Sequence, residues 1–525
     1  MAYPTTFAAA IRDPHVPLHW VLTLERNGVT YFFADADLTI SGQHYRGALK
    51  VTSKPSQSID PYTQRAAACT ATVQLSPLPN EPGEANTTRP YDLSEILDTA
   101  WCGMAARLSL WSEGTTQLEF KVRLSGYASR PTLDGDTGVL TLYLEDWSVR
   151  RNRKFPLRRI EELEHPYSRV TDRGRGVAIL IGEAVGLECS CYSNAALSGG
   201  ADSYFVVARG VTTTNSYVLL DSTDITGSVT FATAINAAGE TWTIFTVPSA
   251  TAVTSAILNF YGIGEADVNG RFAGAPGTVI TNPVAQIWYL ACIYAGIPAR
   301  MIDEAAFLEM RALYLNWETR IQIEPETDTS FLDVVREMSE VMIAAFFVEG
   351  DVYTGRTLDF SRTSVLHLRS GSNLLRLGTI YPDDDSVLAT TATIRYRWGW
   401  SSKDEEPVFT ASATRDHTVS TRFANMRGLL GDIDVELDVL ECKYLISSAP
   451  AQYYLSNMEL LHGERRRRGT IVGNREAHAL RLYDAIEITH PRLPSRDGSG
   501  WSRERVIVTG LAWDRDEVEI EWLEA

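Results

Sequence analysis

Residues 281–307 read TNPVAQIWYLACIYAGIPARMIDEAAF. Asn282 stands where a helix N-cap is needed, and Pro283 at the first helical position, where a missing N–H costs nothing. Ile287, Leu290, Ala291 and Tyr294 then fall at i, i+3, i+4 and i+7, which predicts a helix with one apolar face to bury. Gly296 stops it and Pro298 prevents its resumption. Asp303 can cap a second short helix carrying Phe307 and Met310. This helical hairpin is a packing module without chemistry, and both of its flanks read as short strands. The chain is therefore expected to be mainly β: an α+β multidomain protein of antiparallel β-barrel or sandwich domains with a few short amphipathic helices.

Towards the N-terminus, Trp20–Arg26 and Val29–Ala34 are joined by Asn27-Gly28, a strong hairpin signal, and Ser41-Gly42 joins the next pair. Cys69, Ala71, Val73 and Leu75 alternate with Thr70, Thr72 and Gln74, as in a half-buried strand. Residues 76–90 read as loop, and Leu93, Ile96 and Leu97 mark a short helix. Strands are expected at 105–111, 118–126 and 139–144. The acidic turn Asp134–Gly138 lacks the ligand spacing of a calcium loop and reads as a solvated hairpin turn. Residues 1–150 form one barrel-like domain on this reading. A charged connector follows at 151–200, with RRNRKFPLRRI then EELEH as a solvated linker or an interaction patch. The strand-rich residues 201–280 suggest a small β-sandwich.

After the helical hairpin, Phe331, Val334, Val335 and Met338 repeat the helical stripe and lead into a hairpin turning at Glu349-Gly350-Asp351, which gives a domain over 281–390. Residues 391–480 read as β-rich with one helix over 451–466. Strands at 481–490, 503–513 and 518–523 place the completion of a second barrel in 481–525. Arg465–Arg468 would complement the dipole at the C-terminus of that helix.

A chain of 525 residues exceeds one core. With 44% hydrophobic and 22% charged residues it is an ordinary soluble composition. Its longest apolar run, Met342–Val348, is far too short to cross a membrane, and the start lacks the pattern of a signal peptide, so synthesis in the cytosol is the expectation. A net charge of −18 argues against gripping nucleic acid and suits a surface that nucleic acid slides past. Six cysteines (Cys69, Cys102, Cys189, Cys191, Cys292, Cys442) form no CxxC pair and read as buried thiols. No cofactor and no metal site is expected, with an iron–sulfur cluster the one alternative left open.

Catalytic signatures are missing too. There is no G-x-S-x-G elbow, P-loop or H-E-x-x-H. Gly174-Arg175-Gly176 is half a dinucleotide fingerprint, and Pro17 between His15 and His19 forbids the helix that would align them. The acidic clusters Glu161-Glu162, Asp383–Asp385 and Asp404–Glu406 read as solvated loops. The chain is expected to be no enzyme, with no catalytic, cofactor-binding or metal residues.

The order of modules then becomes informative. HWVLTLERNGVTYFFADADLTISGQHYRGA (19–48) opens the first barrel. GVAILIGEAVGLECSCY and the strand-rich unit follow, then GRFAGAPGTVITNPVAQIWYL, the helix plus hairpin, and the closing RERVIVTGLAWDRDEVEIEWLEA. This series resembles the baseplate or tail-tip hub proteins of long-tailed bacteriophages, including those of gene transfer agents. The resemblance implies a virion protein made in the host cytoplasm and working at the tail tip. It implies a homotrimer with two barrel-like domains per subunit, matching a hexameric tube to a three-fold tip. Implied partners are distal tail and tube proteins, the tape-measure protein and a central fibre or tip protein, with phage DNA passing through the lumen. Two other readings stand beside it: a hexameric distal-tail adaptor ring, and a receptor- or carbohydrate-binding tail protein using Tyr204, Tyr217, Trp242 and Tyr261.

Overall fold

The computed structural model describes residues 6–77, 96, 103–116, 119–155, 157–220, 223–236, 239–248, 258–382, 385–399, 408–415, 421–431, 433–442, 444–446, 448–494 and 500–525. Most of the loop expected at 76–90, the helix expected around Leu93 and Leu97, Cys102, Asp383-Asp384 and Asp404–Glu406 lie outside these residues.

Asn27 and Gly28 adopt φ of 52° and 80°. The β1 strand (Leu18–Arg26) therefore folds back on β2 (Val29–Ala34) with Arg26 opposite Val29. Next come β3 (Leu49–Asp60), β4 (Thr70–Leu75), β5 (Met104–Ser112), β6 (Lys121–Leu133) and β7 (Leu140–Asp146). The alternation at 69–75 is realised: Ala71, Val73 and Leu75 are buried and the threonines and Gln74 only half so. These seven strands pair in the order β2-β1-β5-β6-β7-β4-β3.

The sandwich is built from β8 (Glu183–Glu188), β9 (Ser190–Ser193), β10 (Asp202–Arg209), β11 (Val211–Leu220), β12 (Thr230–Ile235), β13 (Thr241–Pro248) and β14 (Leu258–Asp267). One sheet runs β9-β10-β13-β12 and the other contains β8-β14-β11. Residues 183–193, placed by sequence in the charged connector, thus supply a strand to each sheet. Cys189 and Cys191 stand in its core beside Phe205, Phe245 and Phe260.

The central helix α1 (Pro283–Tyr289) is capped as its sequence dictates: Asn282 Oδ1 accepts from the N–H groups of Val284 (3.0 Å) and Ala285 (3.2 Å). One π-turn, Leu290–Tyr294, continues it to Gly296, whose φ is +68°. The one-faced amphipathic helix expected here is instead buried on every side, because every residue from Pro283 to Tyr289 is covered. The following α2 (Glu304–Leu313) is capped by Asp303 and buries Phe307 and Met310. The next helix, α3 (Phe331–Met342), carries a reciprocal Ser330–Asp333 capping box and buries Phe331, Val334, Val335 and Met338. It passes through Ile343, at φ 52°, directly into the hairpin of β15 (Ala344–Glu349) and β16 (Val352–Thr357).

The C-terminal strands are β17 (Leu366–Arg369), β18 (Leu374–Pro382), β19 (Arg467–Asn474), β20 (Ala485–Pro494), β21 (Gly500–Trp513) and β22 (Glu517–Glu524). The helix α4 (Ser448–His462) packs on the strands 392–399 and 408–415 and on α3. It ends at His462, short of the Arg466 expected, and Arg467 and Arg468 open β19. Residues 421–429, expected to be strand-like, form a helix between the strands 392–399 and 408–415 and the short strand 440–441.

The N-terminal and C-terminal strands form one sheet of fourteen strands, continuing from β3 through β21-β22-β19-β18, with β20 on β21, β17 on β20 and the two-residue strand Arg65–Ala66 on β3. Among the described residues this path is open at both ends and no closed barrel forms, and both ends contribute to one shared core. No helix among the described residues is long and apolar enough to cross a membrane.

Candidate functional site

The place where the two ends of the chain become one sheet is the most specific feature of the molecule. Ser56, Gln57 and Ser58 of β3 pair antiparallel with Ala512, Leu511 and Gly510 of β21. Gln57 is buried, and its Nε2 donates to Val348 O of β15 at 2.8 Å, so the seam is tied to the central hairpin as well. At the surface, Lys54 bridges Asp514 (3.2 Å) and Glu517 (3.4 Å).

Beneath the seam Arg123 of β6 is fully enclosed. Its Nη2 donates to His478 Nδ1 at 2.7 Å and to His478 O at 3.1 Å, and the guanidinium lies 4.8 Å from the centre of the Trp513 ring. A guanidinium can only donate, so Nδ1 is the acceptor. Nε2 then carries the proton and points at Arg515 O, 3.2 Å away. His478 is accordingly neutral: burial first, then the Arg123 charge, holds it well below the usual histidine range. Burial likewise pulls Lys121 down to about 8, with Arg123 adding to the effect and Glu349 opposing it. Three more contacts fasten the two ends. Tyr483 Oη donates to Gln64 Oε1 (2.7 Å), Arg475 Nη1 donates to Val16 O (2.6 Å), and Arg515 pairs with Asp35 (3.2 Å). What this arrangement does chemically is fix geometry. Arg123 is held by the neutral His478 inside, and the Lys54 and Arg515 ion pairs close the seam outside.

The other sequence candidates fall into structural roles. Arg466 is buried, donating to Leu460 O of α4 (2.8 Å) and Glu524 O (2.9 Å), which is the helix-end role expected of the run. Arg467 instead forks onto the Glu524 carboxylate, and Arg468 lies over the Tyr62 ring at 4.6 Å. In the sandwich, Trp242 is buried with Ile160, Val177 and Ile244 and touches the His165 ring at 5.9 Å, so the connector covers it. Tyr204 packs at the same place, Tyr217 is exposed, and the Tyr261 side chain lies outside the described residues. Arg175 of the half-fingerprint is held in ion pairs with Asp172 and Glu188. His19 pairs with Asp35 at 2.9 Å. Asp134 accepts from the N–H groups of Thr137 and Asp136, which lowers its pKa and makes a local turn. The described cysteines are free, and no group of three or more His, Cys, Asp or Glu among the described residues stands ready to hold a metal ion.

Sequence reasoning missed the seam, Arg123 and His478, since nothing local in a Ser-Gln-Ser tripeptide announces a partner strand so far downstream. It also missed Gln286, whose signal was available: an amide alone inside an apolar helical run. Gln286 is fully buried, with its Nε2 at 3.2 Å from Ile181 O, 2.7 Å from Ile280 O and 2.8 Å from Thr319 O.

No protein-family model matches the chain, and no curated protein matches it. Among solved structures, it is similar to a 43 kDa tail protein of prophage MuSo2 from Shewanella oneidensis, at 9% identity and a TM-score of 0.40, covering 96% of this chain and 98% of that one. It is also similar to a chain of the virion of a native gene transfer agent particle, at 11% identity and a TM-score of 0.43, covering 67% and 85%. A third is a prophage tail protein from Listeria monocytogenes EGD-e, at 6% identity and a TM-score of 0.38, covering 96% and 94%. At these scores the likenesses carry no functional argument by themselves.

Proposed function

We propose that this chain is a structural protein of a bacteriophage tail, forming the hub of the tail tip as a ring of three copies around the channel through which DNA leaves. The observation that carries this reading is the continuous sheet. Each chain presents two β units, one from each terminus, locked side by side by β3–β21 pairing and the Arg123–His478 contact. A three-membered ring of such chains offers six β units around one axis, which fits a three-fold tip beneath a six-fold tube. A head-to-tail contact that closes after three copies leaves no open sheet end. The net charge of −18 suits a wall that DNA must pass without adsorbing. A role in assembly, with no reaction catalysed, is part of the same proposal, and the burial of Trp242 favours it over glycan recognition by the sandwich.

Mass photometry of the purified chain, with class averages from electron micrographs, tests the reading. Three-fold rings support the hub; six-fold rings replace it with the distal-tail adaptor. Glycan binding abolished by Trp242→Ala, with folding intact, would favour a receptor-binding protein instead.

A further inference from the structure

The helix α2 is apolar on two opposite faces, and the fold covers only one of them. Towards the core, Phe307 meets the rings of Trp288 (5.7 Å), Phe346 (5.7 Å) and Tyr353 (5.9 Å), and Met310 lies against Gly355 of β16. Tyr314, just past the helix, is buried too and donates from Oη to Met342 O at 2.7 Å. On the far side Ala305, Leu308 and Ala312 follow one another at i, i+3 and i+7, and all three are exposed. Leu313 and Leu315 extend this surface: Leu308, Leu313 and Leu315 are 41%, 61% and 73% exposed.

The helix cannot turn to hide these residues. At its start Asp303 is the N-cap, and its Oδ2 accepts from Thr354 Oγ1 of β16 at 3.2 Å. At its end Arg311 Nη1 donates to Phe272 O, while Asn282 Nδ2 donates to the carbonyls of Arg311 (3.2 Å) and Tyr314 (2.8 Å). Singly scattered surface leucines need no explanation, but a rigid ridge of leucine and alanine opposite a buried face marks a contact surface.

Charge selects the partner. Glu309 flanks the ridge one turn from both Ala305 and Ala312, Glu304 lies one turn before Leu308, and both are exposed. The neighbouring cations are engaged within the chain, Arg311 at Phe272 O and Arg271 with Glu304 at 3.2 Å. The rim is therefore acidic, on a chain whose net charge is −18. A second copy of this face would bring an acidic rim of its own against it, which is unfavourable.

We propose that the outer face of α2 is a docking site for an amphipathic helix of another protein, one whose apolar stripe is flanked by Lys or Arg. Ala305 and Ala312 let the incoming helix approach closely, and Leu308 and Leu315 pack beside its stripe. Its basic flanks meet Glu304 and Glu309 at the rim, which sets specificity more than strength. This contact is independent of how many copies of the chain assemble.

The probe is a fluorescent helical peptide about three heptads long, with a leucine stripe at a and d and lysine elsewhere, and a twin carrying glutamate for every lysine. Fluorescence anisotropy with the full chain is expected to show binding of the lysine peptide at about micromolar concentration, weakening as salt is added. The glutamate twin binds at least about tenfold more weakly. Leu308→Ser combined with Leu315→Ser, at exposed positions that leave the thermal midpoint unchanged, weakens the lysine peptide by at least about tenfold. Glu309→Lys weakens it by up to about fivefold, a change too local for general adsorption to an acidic protein. Lysine-peptide binding that the double serine variant leaves intact reports such adsorption and overturns the proposal. So does the lack of binding up to about 1 mM peptide. A lower particle mass for the serine variant than for the wild type in mass photometry also overturns it, making the face a contact between copies.

Discussion

At Gln286 the two hydrogens of one amide are shared among carbonyls of three separate segments inside an otherwise apolar helix. Leucine at this position fits the helix and its apolar surroundings, yet it leaves buried carbonyls with no donor. Gln286→Leu is therefore expected to lower stability by about 2–4 kcal/mol in urea unfolding, although hydrophobicity alone would predict a gain. His478 is the second informative residue. Its folded-state pKa lies well below the 6.5 of a free histidine, so below that pH the unfolded chain binds a proton that the native chain refuses. Stability should fall as pH drops below 6.5, by up to about 1.4 kcal/mol per pH unit from this group. His478→Gln, whose amide oxygen can still accept from Arg123, should lose that part of the slope when urea midpoints are compared at mildly acidic and neutral pH.

Elements with local signals folded as their residues dictate. Asn27-Gly28 made its hairpin, and Asn282, Asp303 and Ser330 each capped the helix that follows. Asn282 does more than cap, because its Nδ2 also donates to Tyr314 O at 2.8 Å. Asn282→Ala is thus expected to cost about 1–2 kcal/mol, seen as a lower thermal midpoint. Where elements departed from expectation the cause was tertiary. The helix at 448–462 stops short of the arginine run because Arg468 pairs with Leu523 of the C-terminal strand and Arg467 forks onto its Glu524 carboxylate. Ile343 takes a left-handed conformation that a β-branched residue rarely adopts, held there by burial at the joint of α3 and β15. Neither outcome is written in the neighbouring sequence.

For the whole molecule, the strand content and its punctuation were legible, whereas the pairing of β3 with β21 was not. Period-two patterns show which face of a strand is buried without saying which strand lies beside it. The candidate site was illegible for the same reason: Arg123 and His478 are ordinary residues until the two chain ends meet. Magnitudes divide the seam's contacts. Removing the surface pair with Lys54→Ala should cost under about 1 kcal/mol. Arg123→Met, which strips the donor from His478 Nδ1 and its carbonyl, should cost about 2–4 kcal/mol, with the β3–β21 pairing still holding the two ends together. The most direct test of the account is the number of copies in the assembled particle. The account predicts three chain masses and three-fold averages for the wild type. A wild type that stays a single chain at every concentration, or assembles with six-fold symmetry, would contradict it.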